Sequence, residues 1–387
     1  MLLTRPRTTT DPLWQLTADC AGDVRPERLD LLVGVYRDDS GAAPVMDAVR
    51  AAELRLARRS PSKAYVGPAG SERFLGAMSA LLFADDRLSA RAAGVQTVAG
   101  TGALRLLAEL LAATGPDRTV LLGTPAYVNH PAILAAAGLR TAIHPVTADG
   151  SAMLAAVDAA RPGDVLLVQG CCHNPTGLSM PVALWDELAA ALVRRGVVPF
   201  VDQAYFGLGD GLDEDLEGMR RLLRTVPDAV VAVSASKAWG LYNERTGAAF
   251  VLSDDAGHRT QARTLLENIA RASYSQPPAH GAAIVEEILT DPVLTGRWRT
   301  ELETMRLRLG SLRDGLAGLT GFTGLADQRG MFLTLPLDAA AMLRLRSDHG
   351  VYGLPSGRVN LAGIPSSRLA EVAAAIRAAG RALVPSS

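Results

Sequence analysis

Short apolar segments alternate with longer amphipathic segments from about residue 119 onward. Segments rich in β-branched residues predict strands at TVLLG (119–123), TAIHPV (141–146), DVLLVQG (164–170), VVPFVDQ (197–203) and VVAVSAS (230–236). Between them, stretches such as PVALWDELAAALVRRG space their apolar residues as an amphipathic helix does. Strands that alternate with helices predict an α/β fold with a mostly parallel central sheet covered on both faces.

A second group of elements follows a long helical region. Residues from about 255 to 316 are rich in helix formers, and GMFLTLPL, AAAMLRLRSDHG and GRVNLAG come after them. We interpret residues 44–297 as a large domain. Residues 1–43 and 298–387 are interpreted together as a smaller α/β domain.

Composition narrows the class of protein. A chain of 387 residues that is 48% hydrophobic and 20% charged is expected to be globular, and a net charge of −1 gives no electrostatic reason for a nucleic-acid or acidic membrane partner. No apolar run is long enough to cross a bilayer, and MLLTRPRTTTDPLW lacks the apolar core of a signal peptide. Three cysteines without metal-like spacing, Cys20, Cys171 and Cys172, indicate a reducing compartment, so we expect a cytoplasmic protein.

The use of lysine is unusual. Of 39 basic residues only Lys63 and Lys237 are lysines. Arginine stays protonated in proteins and cannot act as an amine nucleophile, whereas a desolvated lysine can form a Schiff base with a carbonyl group. Chance survival under a bias toward arginine remains an alternative for both, and for Lys237 the neighbouring residues favour chemistry.

Three polar residues follow successive predicted strands. Asn174 comes after one strand, Asp202 closes the next, and Lys237 follows a third. Open α/β sheets bind ligands beyond the carboxyl ends of their strands, so these side chains are candidates for one site. Taken singly, Asn174 fits a structural Asn-Pro turn with a candidate cis peptide, and Asp202 fits a helix cap.

Two further patterns concern phosphate and acyl chemistry. VAGTGALRLLAELL places Gly100, Thr101 and Gly102 before an amphipathic helix, where free N–H groups suit a phosphate, although a plain capped turn has the same pattern. It is neither a P-loop nor a dinucleotide fingerprint. Ser234 and Lys237 form the S-x-x-K of serine acyltransferases, but no K-T-G follows, which disfavours that class.

Taken together, the motifs resemble the fold-type I, class I aminotransferases that use pyridoxal phosphate, in the aspartate and aromatic amino acid subgroup. In family order the chain contains LLVGVYRDDSGAAPVMDAVR, KAYVGPAG, GTGALR, PAYVNHPAI, GCCHNPTG, VDQAYFG, SASKAWGLYNERTG, RASYSQPPAHGA, RGMF and SGRVNLAG. The resemblance implies a homodimer with shared active sites. It also implies ping-pong transamination between a dicarboxylic or aromatic L-amino acid and a 2-oxo acid.

The resemblance implies a role for each matching residue around the cofactor ring. Lys237 would form the Schiff base with pyridoxal 5′-phosphate and carry the proton between substrate and cofactor. Asp202, supported by His130, would pair with the ring nitrogen. Tyr205 and Asn174 would hydrogen-bond the ring oxygen.

The phosphate and the substrate would be bound by further residues. Candidate phosphate ligands are Gly100, Thr101, Ser234 and Arg245, with Tyr65 from the neighbouring subunit. Candidate substrate ligands are Gly34, Tyr127, Asn174, Arg271 and Arg358, of which Arg358 would bind the α-carboxylate and Arg271, from the partner, a side-chain carboxylate. For these two arginines a surface salt bridge is the alternative.

The chain departs from the family on the substrate side. Tyr127 stands where tryptophan is usual, and Trp14, Gln15, Ser273 and Gln276 also differ. An alternative function is therefore a specialised pyridoxal-phosphate enzyme of secondary metabolism that transaminates, decarboxylates or eliminates from an unusual amino acid. A third hypothesis is a regulator that binds the cofactor as a sensor. We rank it last, because we find no basic N-terminal extension in the sequence that would bind DNA.

Overall fold

The computed structural model describes residues 12–381. Its helices are α1 (Pro12–Gly22), α2 (Asp47–Arg59), α3 (Glu72–Phe83), α4 (Asp86–Arg91), α5 (Ala99–Thr114), α6 (His130–Ala136), α7 (Ser151–Ala159), α8 (Val182–Arg195), α9 (Glu214–Thr225), α10 (Ala256–Ser273), α11 (Ala279–Thr290), α12 (Pro292–Thr320), α13 (Ala339–His349) and α14 (Leu369–Arg381). Its strands are β1 (Leu29–Asp30), β2 (Ala92–Val98), β3 (Thr119–Thr124), β4 (Arg140–Pro145), β5 (Val165–Gln169), β6 (Val198–Gln203), β7 (Asp228–Ser234), β8 (Thr246–Ser253), β9 (Phe332–Thr334), β10 (Val351–Tyr352) and β11 (Arg358–Asn360).

A seven-stranded sheet forms the centre of the large unit. Its strand order is β2-β8-β7-β6-β5-β3-β4. The pairs from β7 to β4 are parallel, whereas β8 runs antiparallel to both β2 and β7. The α/β class and the five predicted strands are confirmed. Strands β2 and β8 were not predicted, because alanine and glycine occupy many of their positions and leave few β-branched residues.

Helix α5 shows why the helices cover the sheet. Leu104, Leu107 and Leu111, which the sequence placed on one helical face, are buried against sheet residues such as Val120 and Val165. A fully buried leucine side chain contributes about 1.5–3 kcal/mol relative to an exposed one. This face therefore fixes α5 on the sheet, with its N-terminus at residue 99.

The helix-rich region after the sheet consists of three helices rather than one. The segment after α10 contains Ser275 in a left-handed conformation and two prolines, which end that helix. Asp291 separates α11 from α12, and its Oδ1 accepts hydrogen bonds from the N–H groups of Val293 and Leu294, each at 2.9 Å. An N-cap of this kind, with proline at the first helical position, starts α12.

The chain divides into two compact units. One contains Pro44–Arg308, and the other contains the residues up to Ala43 together with those from Leu309 onward. The second boundary falls inside α12, as does the boundary that we drew from the sequence at 297 and 298. In the smaller unit, β1 pairs with β10 in parallel and β9 with β11 antiparallel. Among the described residues, no helix has the length and apolar character to cross a membrane.

Candidate functional site

The polar residues predicted from the strand ends meet at one edge of the sheet. Asp202 lies near the end of β6, and in the strand register it pairs with Gln169 of β5 and Ala232 of β7. Asn174 lies in the loop that follows β5, and Lys237 lies three residues after β7. Because these strands are parallel, their carboxyl ends bring residues distant in sequence to one place.

Asp202 is a buried carboxylate with a histidine partner. Its side chain is 7% exposed, and the Nε2 atom of His130 lies 2.9 Å from its Oδ2. A carboxylate can only accept hydrogen bonds, so Nε2 of His130 carries the proton in this pair. His130 is the first residue of α6, so the start of this helix brings its ring to Asp202 of β6. The pair therefore presents a buried negative charge at the sheet edge, suited to a protonated heteroaromatic nitrogen.

Tyr127 lies beside the same histidine. Its ring centroid is 5.1 Å from that of His130, and the two rings are perpendicular. This edge-to-face arrangement is one that aromatic pairs prefer. The structure therefore places Tyr127 next to the His130 and Asp202 pair.

Asn174 and Tyr205 form a polar pair close to that carboxylate. The side-chain N–H of Asn174 donates to the hydroxyl of Tyr205 over 3.3 Å, and both residues are buried. The Asn174 Oδ1 atom is also buried and has no hydrogen-bond partner among the described residues. A buried polar atom without a partner costs about 1–3 kcal/mol. Hydrogen-bonding capacity at this position is therefore available to a ligand.

Lys237 has the electrostatic surroundings of a nucleophile. Its Nζ lies 5.6 Å from the ring centroid of Tyr205 and 5.9 Å from that of Tyr242. Burial and, to a smaller extent, the positive charge of Arg245 lower the pKa of this amine from 10.5 to about 8, while the charge of Asp202 opposes the shift. Near neutral pH a much larger fraction of the amine is therefore unprotonated than in an exposed lysine.

A second polar cluster forms where α5 begins. The N–H of Ala99 donates to the carbonyl of Arg245 over 2.9 Å, and both residues have a left-handed backbone. A Cβ on Gly100 would lie only 2.9 Å from the Cβ of Ser234, so the start of the helix lies directly against the end of β7. The N–H groups of Gly100 and Thr101 lie in the first turn, where no earlier carbonyl of the helix can pair with them.

The same cluster holds a serine that sequence reasoning missed. Ser236 donates its backbone N–H to the Ser234 hydroxyl over 3.3 Å, and its own hydroxyl is buried with no partner among residues 12–381. A helix N-terminus, two serine hydroxyls and the guanidinium of Arg245 form an environment that suits a phosphate. The spacing S-A-S-K, with a second serine next to the lysine, was the available signal.

Two predicted residues lie on the surface of the chain. Tyr65 is 93% exposed. Arg271 is also exposed, and its guanidinium donates to the Ser275 hydroxyl over 2.8 Å. Gln276 accepts hydrogen bonds from the N–H groups of Val66 and Gly67, at 2.9 and 3.3 Å. The segments that carry Tyr65 and Arg271 are therefore tied to each other.

Gly34 and Arg358 belong to the smaller unit. Arg358 is buried, donates to the carbonyl of Leu32 over 2.5 Å and lies 4.4 Å above the ring centroid of Phe332. A Cβ on Gly34 would lie 2.7 Å from the Cζ atom of the same ring. Phe332, which lies in the RGMF motif but was assigned no role from the sequence, thus fixes the position of both predicted residues.

Comparison with known proteins identifies the family. The model of the family "Aminotransferase class I and II" matches residues 26–376. A tyrosine aminotransferase of Rhizobium meliloti (strain 1021) is 46% identical over 380 residues, covering 95% of this chain and 97% of that protein. An aspartate aminotransferase of Escherichia coli (strain K12) is 36% identical over 382 residues, covering 95% of this chain and 96% of that protein. The crystal structure of an aromatic-amino-acid aminotransferase from Burkholderia pseudomallei, covalently bound to pyridoxal phosphate, superposes with a TM-score of 0.92 at 32% identity and covers 98% of each chain.

Proposed function

Because this chain belongs to the class I and II aminotransferase family, it is a pyridoxal-phosphate-dependent aminotransferase, and we propose that it transfers amino groups between aromatic or dicarboxylic L-amino acids and 2-oxo acids. The names of the tyrosine and aspartate aminotransferases similar to it support both substrate classes. The observation that carries the proposal is Lys237, whose amine has a lowered pKa at the sheet edge that also holds Asp202.

The residues of the sheet edge fit pyridoxal phosphate. Asp202 would bind the ring nitrogen, and the Tyr205 hydroxyl with the Asn174 NH2 group would donate to the ring oxygen. For the phosphate we propose the first turn of α5 at Gly100 and Thr101 as one side of the site. Its other ligands would be the side chains of Ser234, Ser236 and Arg245. The unpartnered hydroxyl of Ser236 and the tight approach at Gly100 support this assignment.

When bound, the cofactor supplies an electron-withdrawing ring that stabilises negative charge at the substrate Cα. The protein contributes placement and proton transfer. The carboxylate of Asp202 keeps a negative charge at the ring nitrogen, and His130 holds that carboxylate in place by its 2.9 Å hydrogen bond. The Tyr205 hydroxyl and the Asn174 amide orient the ring oxygen.

Lys237 is the proposed base. With the substrate amino group in its place on the cofactor, the free amine of Lys237 would take the proton from the substrate Cα and deliver it to the cofactor carbon that carries the amino group. The second half of the exchange would move a proton in the reverse direction. A pKa of about 8 favours this role, because the base is partly unprotonated near neutral pH and its conjugate acid can still donate. The first oxo acid leaves before the second binds, so the reaction follows a ping-pong mechanism.

Each unit carries candidate residues for substrate recognition. In the large unit, Tyr127 would contact the cofactor ring and the substrate from beside His130. In the smaller unit, Arg358 would bind the substrate α-carboxylate through its guanidinium, which Leu32 and Phe332 already orient. Gly34 would lie beside the substrate, and glycine is needed there because a side chain would collide with Phe332.

A second copy of the chain is the proposed partner. Tyr65 is almost fully exposed and Arg271 lies on the surface, yet the segments that carry them are held together by Gln276. In a homodimer with shared active sites, Tyr65 would reach the phosphate bound by the other subunit and Arg271 the side-chain carboxylate of its substrate. We place the dimer in the cytoplasm, because the buried residues Cys20, Cys171 and Cys172 form no disulfide within the part of the chain that the structure describes.

The assignment of Lys237 can be tested by chemical trapping. Borohydride reduction of the holoenzyme should attach the cofactor to one lysine, which peptide mass spectrometry identifies. We expect trapping at Lys237 and its loss in Lys237→Ala. Since the chain has only one other lysine, Lys63→Ala is the matched control and should trap the cofactor normally. Trapping at Lys63, or trapping that persists in Lys237→Ala, would contradict the proposal.

The substrate class is tested by single half-reactions. Tyrosine, phenylalanine, aspartate and glutamate are each added without an acceptor, and the bound-cofactor spectrum and the released oxo acid are measured. Conversion by aromatic and dicarboxylic amino acids with release of the matching oxo acid is expected. Release of carbon dioxide without an oxo acid would instead support the specialised enzyme.

A further inference from the structure

Gln169 links the two polar groups that are assigned to the ring nitrogen and the ring oxygen of the proposed cofactor. It is the last residue of β5 and pairs with Asp202 in the strand register. Its Oε1 accepts the backbone N–H of Asn174 over 2.6 Å. Its Nε2 lies 3.5 Å from the Oδ2 of Asp202, the oxygen that His130 also contacts.

The chemistry of these partners fixes the orientation of the amide. A backbone N–H can only donate, so the oxygen of Gln169 must face Asn174. The NH2 group then faces Asp202, whose ionised carboxylate can only accept. The reverse orientation would place two donors together at Asn174 and two acceptors together at Asp202. Only an uncharged group with a donor and an acceptor satisfies both sides.

The other groups around Asp202 make this neutrality significant. His130 donates to it, and Lys237 and His173 both act on it electrostatically. His173 is itself uncharged near neutral pH, since burial and the nearby His130 lower its pKa to about 4. Gln169 thus adds a donor beside Asp202 without adding a charge that varies with pH.

We propose that Gln169 is a positioning residue that couples the carboxylate at the cofactor's ring nitrogen to the Asn174 loop at its ring oxygen. This inference rests on the proposed function, which assigns Asp202 and Asn174 to those two atoms. Through one side chain, Gln169 donates to the Asp202 carboxylate and fixes the position of the loop that carries the Asn174 amide. Both contacts would lower the pKa of the nitrogen that joins Lys237 to the bound cofactor, because they stabilise a protonated ring nitrogen and a negatively charged ring oxygen.

Two substitutions separate this role from simple support of the loop. Gln169→Leu removes both hydrogen bonds. Gln169→Glu keeps an acceptor for the Asn174 N–H but faces Asp202 with a second acceptor, provided that the buffer is mildly alkaline and the new carboxyl is ionised. Gln96→Leu is the matched control, because Gln96, a buried residue of β2 at the far edge of the sheet, likewise joins a backbone donor, the Ser71 N–H, to an acceptor, the Pro278 carbonyl.

The readouts are the pH midpoint of the bound-cofactor absorbance, the cofactor retained in equilibrium dialysis of the holoenzyme, and the melting temperature. For both Gln169 variants we expect the pH midpoint to rise by about half a pH unit or more. For Gln169→Leu we also expect the affinity for the cofactor to fall about tenfold. Gln96→Leu should lower the melting temperature and leave the midpoint unchanged. Any other substitution that lowers stability without affecting Asp202 should likewise lower the melting temperature and leave the pH midpoint unchanged.

The outcomes distinguish the two levels of the argument. A wild-type midpoint in Gln169→Glu, together with a shifted one in Gln169→Leu, would overturn the coupling and leave only support of the loop. Wild-type behaviour in both variants would overturn it entirely. If the wild-type protein itself retained no pyridoxal phosphate, or if trapping occurred away from Lys237, the proposed function would fail instead.

Discussion

The lowered pKa of Lys237 implies that this side chain destabilises the cofactor-free protein. Its pKa falls from 10.5 to about 8 on folding, chiefly by burial. The unfolded chain therefore binds the proton more tightly than the folded chain does. A base of this kind reduces stability fully below its folded pKa, and the penalty disappears as the pH rises through the unfolded pKa.

The magnitude follows from the size of the shift. With 1.36 kcal/mol for each pKa unit, linkage gives a penalty of about 3 kcal/mol at pH 7 and about 1 kcal/mol at pH 9.5. Methionine has a similar length and no charge. We therefore expect Lys237→Met to raise the unfolding free energy of the cofactor-free protein by up to these amounts, with the larger gain at pH 7.

Urea unfolding at the two pH values measures the effect. The matched control is Lys63→Met, which changes the other lysine of the chain at an exposed position and should alter stability little at either pH. A gain in Lys237→Met that is equal at both pH values would show that packing rather than charge is responsible. No gain at either pH would refute the reasoning about the buried amine.

Three further changes have specific expected outcomes. Gly100→Ala brings a Cβ to within 2.9 Å of the Ser234 Cβ and should weaken cofactor retention about tenfold in dialysis, whereas an unchanged value would remove the helix start from the phosphate site. Gln276→Leu removes the acceptor of the Val66 and Gly67 N–H groups and should speed tryptic cleavage after Lys63 about fivefold, as measured by mass spectrometry. Equal cleavage rates would show that other contacts hold this segment. Arg358→Lys loses the fork of donors and should raise the KM for amino acid substrates about tenfold or more, and an unchanged KM would exclude it as the carboxylate ligand.

The chemistry-bearing residues were easier to predict than their supports. Lys237, Asp202 and Asn174 each follow a predicted strand, and the topology rule for parallel sheets was enough to place them together. Gln169 has no such mark, because a glutamine at the end of a strand is common. Its importance depends on the N–H of Asn174 and the carboxylate of Asp202, which come together only through the strand register and the loop.

The surface residues show the opposite situation. Tyr65 and Arg271 were assigned roles through the resemblance to the family, which includes a second subunit. In the single chain they lie on the surface, and the contact that joins their segments runs through Gln276, noted in the sequence only as a departure. Their proposed roles concern a partner chain, so they are measured on the assembled protein.

The sequence by itself determined the α/β class, the five parallel strands and the choice of lysine over arginine at the reactive position, because each depends on local periodicity or on the chemistry of one residue type. Only the tertiary structure decided that β8 joins the sheet antiparallel to its neighbours β7 and β2, that Ser236 and Gln169 join the site, and that the pKa of Lys237 is lowered. Those features depend on burial and on contacts between residues far apart in the chain. Burial and long-range contacts exist only after the chain has folded.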